Sequence, residues 1–79
     1  MPDTIIVVDD EREIAELIGL YLENDGYEVQ KALTGAQALE YIESAEPALA
    51  VLDIMLPDID GFALLKKIRE KHGFPVIML

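Results

Sequence analysis

The sequence predicts an α/β fold, a doubly wound parallel sheet with helices on both faces. Short apolar runs with the length of strands alternate along the chain with longer segments that show helical periodicity. In most of these runs, polar residues do not alternate with apolar ones. This is typical of strands covered on both faces of a parallel sheet. Alternation of the two kinds of element implies right-handed crossovers between parallel strands.

The first strand and the first helix are predicted in the N-terminal part of the chain. Residues 4–8 form a continuous apolar run and are predicted to be a strand. Residues 11–24 are predicted to be a helix, because apolar residues recur there with the spacing of one helical face. That apolar stripe consists of Ile14, Leu17, Ile18, Tyr21 and Leu22. Gly26 follows the helix and suits the left-handed position after its end.

The middle of the chain is predicted to add a second strand and a second helix. Residues 27–31 do alternate, with Tyr27 and Val29 on one side, so this strand suits a sheet edge with one wetter face. Residues 35–45 are predicted to be a helix that Thr34 caps at its start. The residues that this helix is expected to bury are Ala38, Leu39 and Ile42.

The last predicted elements are a third strand, a third helix and a fourth strand. Residues 48–52 and residues 75–79 are the remaining apolar runs. Residues 61–72 lie between them and are predicted to be a helix, with basic residues in its later turns that suit a helix C-terminus. The residues that this helix is expected to bury are Phe62, Leu65 and Ile68. The elements thus follow the order β-α-β-α-β-α-β within one small domain.

The composition limits the classes of function. Sixteen acidic and six basic residues give a net charge of −10, and there is no cysteine. Direct binding of nucleic acid is disfavoured, because phosphate contacts need clustered Lys and Arg. A disulfide framework or a thiolate metal site is excluded. Neither a signal peptide nor an apolar run of about 20 residues is visible, so we expect a cytoplasmic location and no membrane span.

Carboxylates follow two of the predicted strands. Asp9, Asp10 and Glu11 come directly after the first strand, and Asp53 comes directly after the third. In open parallel sheets, ligands bind outside the carboxyl ends of the strands, so these side chains meet if the two strands are neighbours. Two unit charges about 5 Å apart repel by about 3 kcal/mol at an effective dielectric near 20. A hard cation such as Mg²⁺ removes that cost.

Helix capping is the alternative explanation for an Asp between a strand and a helix. Asp10 with Glu13 three residues later has the pattern of a capping box. Capping explains one Asp, but it does not explain three carboxylates that two different strands deliver to one place. The pattern therefore favours a cation site formed by Asp9, Asp10 and Asp53.

Two motifs give the chain a resemblance to the receiver domains of two-component response regulators. Residues 8–11 (VDDE) resemble the acidic pair that follows the first strand of that family. Residues 53–61 (DIMLPDIDG) resemble its phosphoacceptor loop, and the spacing of Asp53, Pro57 and Gly61 matches. Either motif alone is a weak signal, but both together after the first and third strands are a specific one.

The resemblance implies a flavodoxin-like sheet of strand order 2-1-3-4 and a phosphoryl-accepting function. Asp53 would take a phosphoryl group from a phosphohistidine of a sensor histidine kinase, and the family catalyses its own phosphorylation and dephosphorylation. Asp9, Asp10, Asp53 and the backbone carbonyl of Met55 would bind Mg²⁺. Residues 68–79 also resemble regulators with a DNA-binding winged helix, including vancomycin-resistance regulators. The resemblance thus implies an effect on transcription through a domain outside this chain.

Compared with the family, residues 1–79 are expected to be a partial receiver that lacks the last strand and the last two helices. Its fourth strand would be an exposed apolar edge, so we expect a homodimer or a swapped oligomer. An interaction module that is not phosphorylated and self-associates through this strand remains an alternative. A haloacid-dehalogenase-like phosphatase is disfavoured, because Met55 stands where that family has its acid Asp.

Overall fold

The computed structural model describes residues 3–79 and contains the seven elements in the predicted order. The strands are β1 (Thr4–Val8), β2 (Glu28–Ala32), β3 (Leu49–Leu52) and β4 (Val76–Met78). The helices are α1 (Arg12–Asn24), α2 (Gly35–Ser44) and α3 (Gly61–Arg69). All strand pairs are parallel and the sheet order is β2-β1-β3-β4, which confirms the predicted fold class and strand order. Within residues 3–79, no helix combines the length and the apolar character that crossing a membrane requires.

The bounds of the elements agree with the predicted ones to within one residue, except at the end of α3. This helix ends at Arg69, whereas the prediction extended it to residue 72. The amides of Lys71 and His72 both donate to the carbonyl of Ile68, over 3.2 and 2.9 Å, so the chain leaves the helix through a tight turn. A shift of one residue at the other ends is within the usual ambiguity of helix and strand limits.

Two hydrophobic clusters lie on the two faces of the sheet. Helices α2 and α3 cover the larger cluster, whose fully buried large side chains include Ile6, Ile42, Leu52, Leu64 and Ile68. Helix α1 covers the smaller cluster, whose buried members are Ile5, Val7, Ala15 and Val51. Successive residues of β1 alternate between the two clusters, as expected for a strand covered on both faces.

Helix α1 buries different residues from those that its apolar stripe predicted. Its fully buried residues are Ala15 and Gly19. The exposed members of the predicted stripe are Ile14, Leu17 and Tyr21. The half-buried members, which pack on the smaller cluster, are Ile18 and Leu22. The prediction was wrong for Ile14, Leu17 and Tyr21, because small residues let the helix approach the sheet. A Cβ atom on Gly19 would lie 2.8 Å from Lys31 Cε and 3.4 Å from Val29 Cγ1.

Helix α3 is also rotated relative to the prediction. The residues that it buries are Gly61, Leu64 and Ile68. Phe62, which was expected in the core, is 56% exposed, and Leu65 is only half-buried. Gly61 sets this rotation, because it packs against the backbone of Asp53 and turns the neighbouring Phe62 outward.

Several local predictions are confirmed. The Thr34 hydroxyl accepts a hydrogen bond from the Gln37 amide over 3.1 Å and caps α2. Gly26 has φ 97° after α1, in the left-handed region that favours glycine. In α2, Ala38 and Ile42 are buried as predicted, while Leu39 is half-buried against the larger cluster.

Candidate active site

The parallel hydrogen-bond ladder continues one residue past the ends of the central strands. The Asp9 amide donates to the Ala32 carbonyl over 3.0 Å, and the Asp53 amide donates to the Val8 carbonyl over 2.9 Å. Asp9 and Asp53 are therefore fixed by the sheet itself at the carboxyl ends of two neighbouring strands. This is the place where open parallel sheets bind ligands.

The structure brings three of the predicted site residues together. Asp9, Asp10 and Asp53 each offer one carboxylate oxygen, and these oxygens all lie within 4.8 Å of one another. Asp9 is only 4% exposed, Asp53 is half-buried and Asp10 is exposed. The backbone of Met55 adjoins the cluster, because its amide donates to Asp53 Oδ1 over 3.2 Å.

Burial raises the pKa of the Asp9 carboxyl above its ordinary value, and the nearby charges of Asp53 and Asp10 add to this rise. The Glu11 amide, which donates to Asp9 Oδ1 over 2.9 Å, opposes the rise but does not cancel it. The ionised cluster is thus held at an energetic cost. An all-oxygen donor set with this cost fits a hard divalent cation such as Mg²⁺, which prefers a few carboxylates together with water and phosphate oxygens.

The capping alternative for Asp10 does not describe this site. Glu11, not Asp10, occupies the N-cap position of α1, and no side chain makes a capping hydrogen bond there. The capping box of Asp10 and Glu13 is therefore not formed. The Asp10 carboxylate stays exposed within the acidic cluster.

The loop between β3 and α3, residues 53–60, begins at Asp53 and closes on itself. The Gly61 amide donates to the Ile54 carbonyl over 2.7 Å, and Met55 pairs with Asp60 in an antiparallel bridge. A Cβ atom on Gly61 would lie 2.7 Å from Ile54 Cα, closer than Cβ atoms are found, and 3.1 Å from the carbonyl carbon of Asp53, which is also a tight contact. Only glycine lets α3 begin this close to the Asp53 backbone.

One contact of the loop was not predicted from the sequence. Asp58 accepts hydrogen bonds from the Gly35 amide over 2.9 Å and from the Ala36 amide over 3.0 Å. These two bonds, that of Gly35 first, lower the pKa of the Asp58 carboxyl. Gly35 and Ala36 lie 23 and 22 residues from Asp58 in the sequence, so no local pattern predicts the contact.

The sequence profile of the response regulator receiver domain matches residues 5–79. This chain belongs to the response regulator receiver family. The receiver is 56% identical over all of its 79 residues to the regulatory protein VanRc of Enterococcus gallinarum. It is 53% identical over the same length to the regulatory protein VanR of Enterococcus faecium. It spans about a third, 34%, of the length of each of these relatives.

Solved structures show the same architecture. The receiver matches a CheY-like response regulator receiver domain protein of Methanospirillum hungatei with a TM-score of 0.93 and 38% identity, over 99% of this chain and 63% of that one. It matches the chemotaxis response regulator CheY4 of Vibrio cholerae with a TM-score of 0.94 and 27% identity, over 99% and 68%. The predicted family and fold class are both confirmed.

Proposed function

We propose that this receiver takes a phosphoryl group onto Asp53 from a phosphohistidine of a sensor histidine kinase. The observation that carries the proposal is the meeting of three carboxylate oxygens within 4.8 Å at the ends of β1 and β3. Asp53 is the member of this cluster that also begins the β3–α3 loop, in the position that the family motif gives to the phosphoacceptor.

The chemistry is nucleophilic attack by a carboxylate. An oxygen of Asp53 forms a bond to phosphorus, the bond from phosphorus to the imidazole nitrogen breaks, and the leaving imidazole takes up a proton from solvent. The product is an acyl phosphate, which water later cleaves to inorganic phosphate and the free carboxylate. The Asp53 amide is fixed by the Val8 carbonyl, so the nucleophile is held on the sheet before the donor arrives.

The donor set also supports a proposed Mg²⁺ site. Asp9, Asp10, Asp53 and the backbone carbonyl of Met55 would hold the ion, and bound Mg²⁺ would neutralise charge on the transferring oxygens. Asp9 is the most buried of the four residues, and its pKa is raised first by burial and then by the charges of Asp53 and Asp10, whose repulsion a cation would relieve. The Glu11 amide orients the Asp9 carboxylate through its hydrogen bond to Oδ1.

The output of the signal is proposed to be transcription. The two curated relatives described above are named regulatory proteins, and this chain spans 34% of their length. Its net charge of −10 makes direct DNA binding by this segment unfavourable. We therefore assign DNA contact to a separate domain of the intact cytoplasmic protein, and phosphotransfer to this receiver.

Intact mass spectrometry tests the phosphoacceptor. The chain is incubated with acetyl phosphate, with Mg²⁺ or with a chelator, and its mass is compared with that of Asp53→Asn. We expect the mass of one phosphoryl group to be added to the wild type only in Mg²⁺, and no addition to the variant. An equal adduct on Asp53→Asn would refute the assignment. An adduct that forms only on a longer version of the chain would show that residues outside 1–79 are required.

A second proposal is self-association through β4, as an interaction module that is not phosphorylated. Within residues 3–79, β4 pairs with β3 alone, and Ile77 in this strand is 52% exposed. An apolar strand with unpaired backbone groups can add to the sheet of another copy. Sedimentation over a range of concentrations distinguishes a monomer from a self-associated form. A monomer at high concentration would contradict this proposal.

A further inference from the structure

The carboxylate of Asp58 spans two elements that are distant in sequence. Asp58 lies five residues after Asp53, in the loop that leads to α3. Its Oδ1 accepts from the Gly35 amide over 2.9 Å, and its Oδ2 accepts from the Ala36 amide over 3.0 Å. These amides belong to the first turn of α2, where backbone N–H groups have no acceptor within the helix. The negative charge also lies at the end of α2 that favours an anion.

The residue next to Asp58 completes this attachment. Ile59 is half-buried, packs against the larger hydrophobic cluster and covers Gly35 so closely that a Cβ atom on Gly35 would overlap it. The polar contact and the apolar contact therefore act at the same point of α2. We call this pair of contacts, Asp58 and Ile59 on Gly35 and Ala36, the loop clamp.

The other end of the loop is fixed to the site itself. The Gly61 amide bonds the Ile54 carbonyl, and the Met55 amide bonds Asp53 Oδ1. Met55 is thus held between the Asp53 carboxylate on one side and the segment that ends in the loop clamp on the other. Among the side-chain hydrogen bonds that the structure describes for this loop, those of Asp58 reach an element distant in sequence, whereas those of Asp60 cap α3, which follows the loop directly.

We propose that Asp58 is a positioning residue, whose clamp on the start of α2 holds the Met55 carbonyl where it can join Asp9, Asp10 and Asp53 around a divalent cation. The inference rests on the proposed function. Without the clamp, the loop keeps the Met55–Asp60 bridge and the packing of Leu56 on the larger cluster. It loses its attachment to α2, and the orientation of the Met55 carbonyl becomes less fixed. Groups that orient a ligand are typically worth a factor of 10 to 100 in metal affinity.

The proposed coupling between the loop clamp and Mg²⁺ binding is reciprocal. If the clamp raises the affinity for Mg²⁺ by some factor, then bound Mg²⁺ must stabilise the clamp by the same factor. The amides of Gly35 and Ala36 report on it directly, because at the start of a helix they have no acceptor other than Asp58. Their hydrogen exchange therefore measures the clamp independently of any phosphotransfer activity.

The test compares Asp58→Asn with Thr34→Ala. Asp58→Asn keeps the size of the side chain but can accept from only one of the two amides. Thr34→Ala removes the other capping bond of α2, from the Gln37 amide, and leaves the loop untouched. The Mg²⁺ dissociation constant of each variant is measured by calorimetry. Repeating it in 1 M KCl, where the Debye length is about 3 Å, removes the simple effect of losing one exposed charge.

We expect Asp58→Asn to weaken Mg²⁺ binding about tenfold, in low and in high salt, and Thr34→Ala to change it by less than about twofold. In the wild type, saturating Mg²⁺ should slow exchange of the Gly35 and Ala36 amides about tenfold, by the same linkage. Equal effects of the two variants, or exchange that Mg²⁺ does not change, would overturn the positioning role and leave the proposed function intact. A wild-type chain that does not bind Mg²⁺ at all would overturn both.

Discussion

Replacing Asp9 with Asn should stabilise the metal-free chain and remove its response to Mg²⁺. Asn has the same size as Asp, and its Oδ1 can keep the hydrogen bond from the Glu11 amide, which is 2.9 Å long. The substitution therefore removes only the charge, at a position that is 4% exposed. Since burial and the charges of Asp53 and Asp10 raise the pKa of Asp9, ionising this residue at neutral pH costs folding free energy.

The size of the effect follows from the geometry. The carboxylate oxygens lie within 4.8 Å of one another. Two unit charges at that separation repel by about 3 kcal/mol at an effective dielectric of 20. Asp53 is half-buried and Asp10 is exposed, so water screens part of this repulsion. We expect a net gain of about 1–2 kcal/mol from the substitution, and about 4–8 °C in Tm for each kcal/mol.

Thermal unfolding followed by circular dichroism measures this gain, first in a chelator and then in Mg²⁺. Glu16→Gln is the matched control, because it removes one charge from an exposed position of α1 and should stay within about 0.5 kcal/mol of the wild type. Mg²⁺ at about 100 times its Kd should stabilise the wild type by about 2.7 kcal/mol, and Asp9→Asn by much less. A variant that melts below the wild type in chelator, while the control does not, would refute the electrostatic reasoning.

Three further predictions concern pH, the loop and the core. The stability that Asp9→Asn gains over the wild type should be absent below about pH 4, where the carboxyl of the unfolded chain is protonated. This gain should grow as the pH rises through the raised pKa of Asp9, and denaturation at a series of pH values in chelator measures it. Gly61→Ala should destabilise the chain by about 1–3 kcal/mol and suppress the acetyl phosphate adduct on Asp53, because the new methyl group would overlap the loop backbone. Gly73→Ala, where a Cβ atom meets nothing within 4 Å, is its control and should be neutral or slightly stabilising. Leu64→Ala, which truncates a fully buried side chain between the sheet and α3, should cost about 2–5 kcal/mol in urea unfolding, and a loss under 1 kcal/mol would contradict the described core.

The features that the sequence predicts well are those with a local signal. Continuous apolar runs define β1 and β3, and an acidic residue directly after each run marks the end of the strand. Once these strands are neighbours, the ladder bonds of Asp9 and Asp53 bring the carboxylates together without any further information. Thr34 and Gly26 are equally local, since one caps a helix and the other ends one.

The features that the sequence does not predict depend on packing between distant segments. The apolar stripe of α1 is wide enough to present either Leu17 and Tyr21 or Ile18 and Leu22 to the sheet. The choice is made by Ala15 and Gly19, which carry little hydrophobic signal and let the backbone approach the strands. The contact of Asp58 with α2 is missed for a related reason, because it depends on where the loop and the helix meet in the folded chain.

The charge distribution around the acidic cluster is unfavourable for stability, which supports the proposed cation site. Within residues 3–79, Lys71 forms an ion pair with Glu43, and His72 Nδ1 lies 2.9 Å from Glu46 Oε1. They lie between the C-terminal ends of α2 and α3, and no basic side chain of the described residues pairs with Asp9. A buried carboxylate without a cationic partner is costly to ionise. The sheet ladder nevertheless holds Asp9 and Asp53 in a defined geometry. The folded chain therefore keeps the carboxylates together despite the free energy that their ionisation costs. A cation bound between these carboxylates would remove the repulsion that destabilises the folded chain. Metal binding and stability should therefore change together in Asp9→Asn.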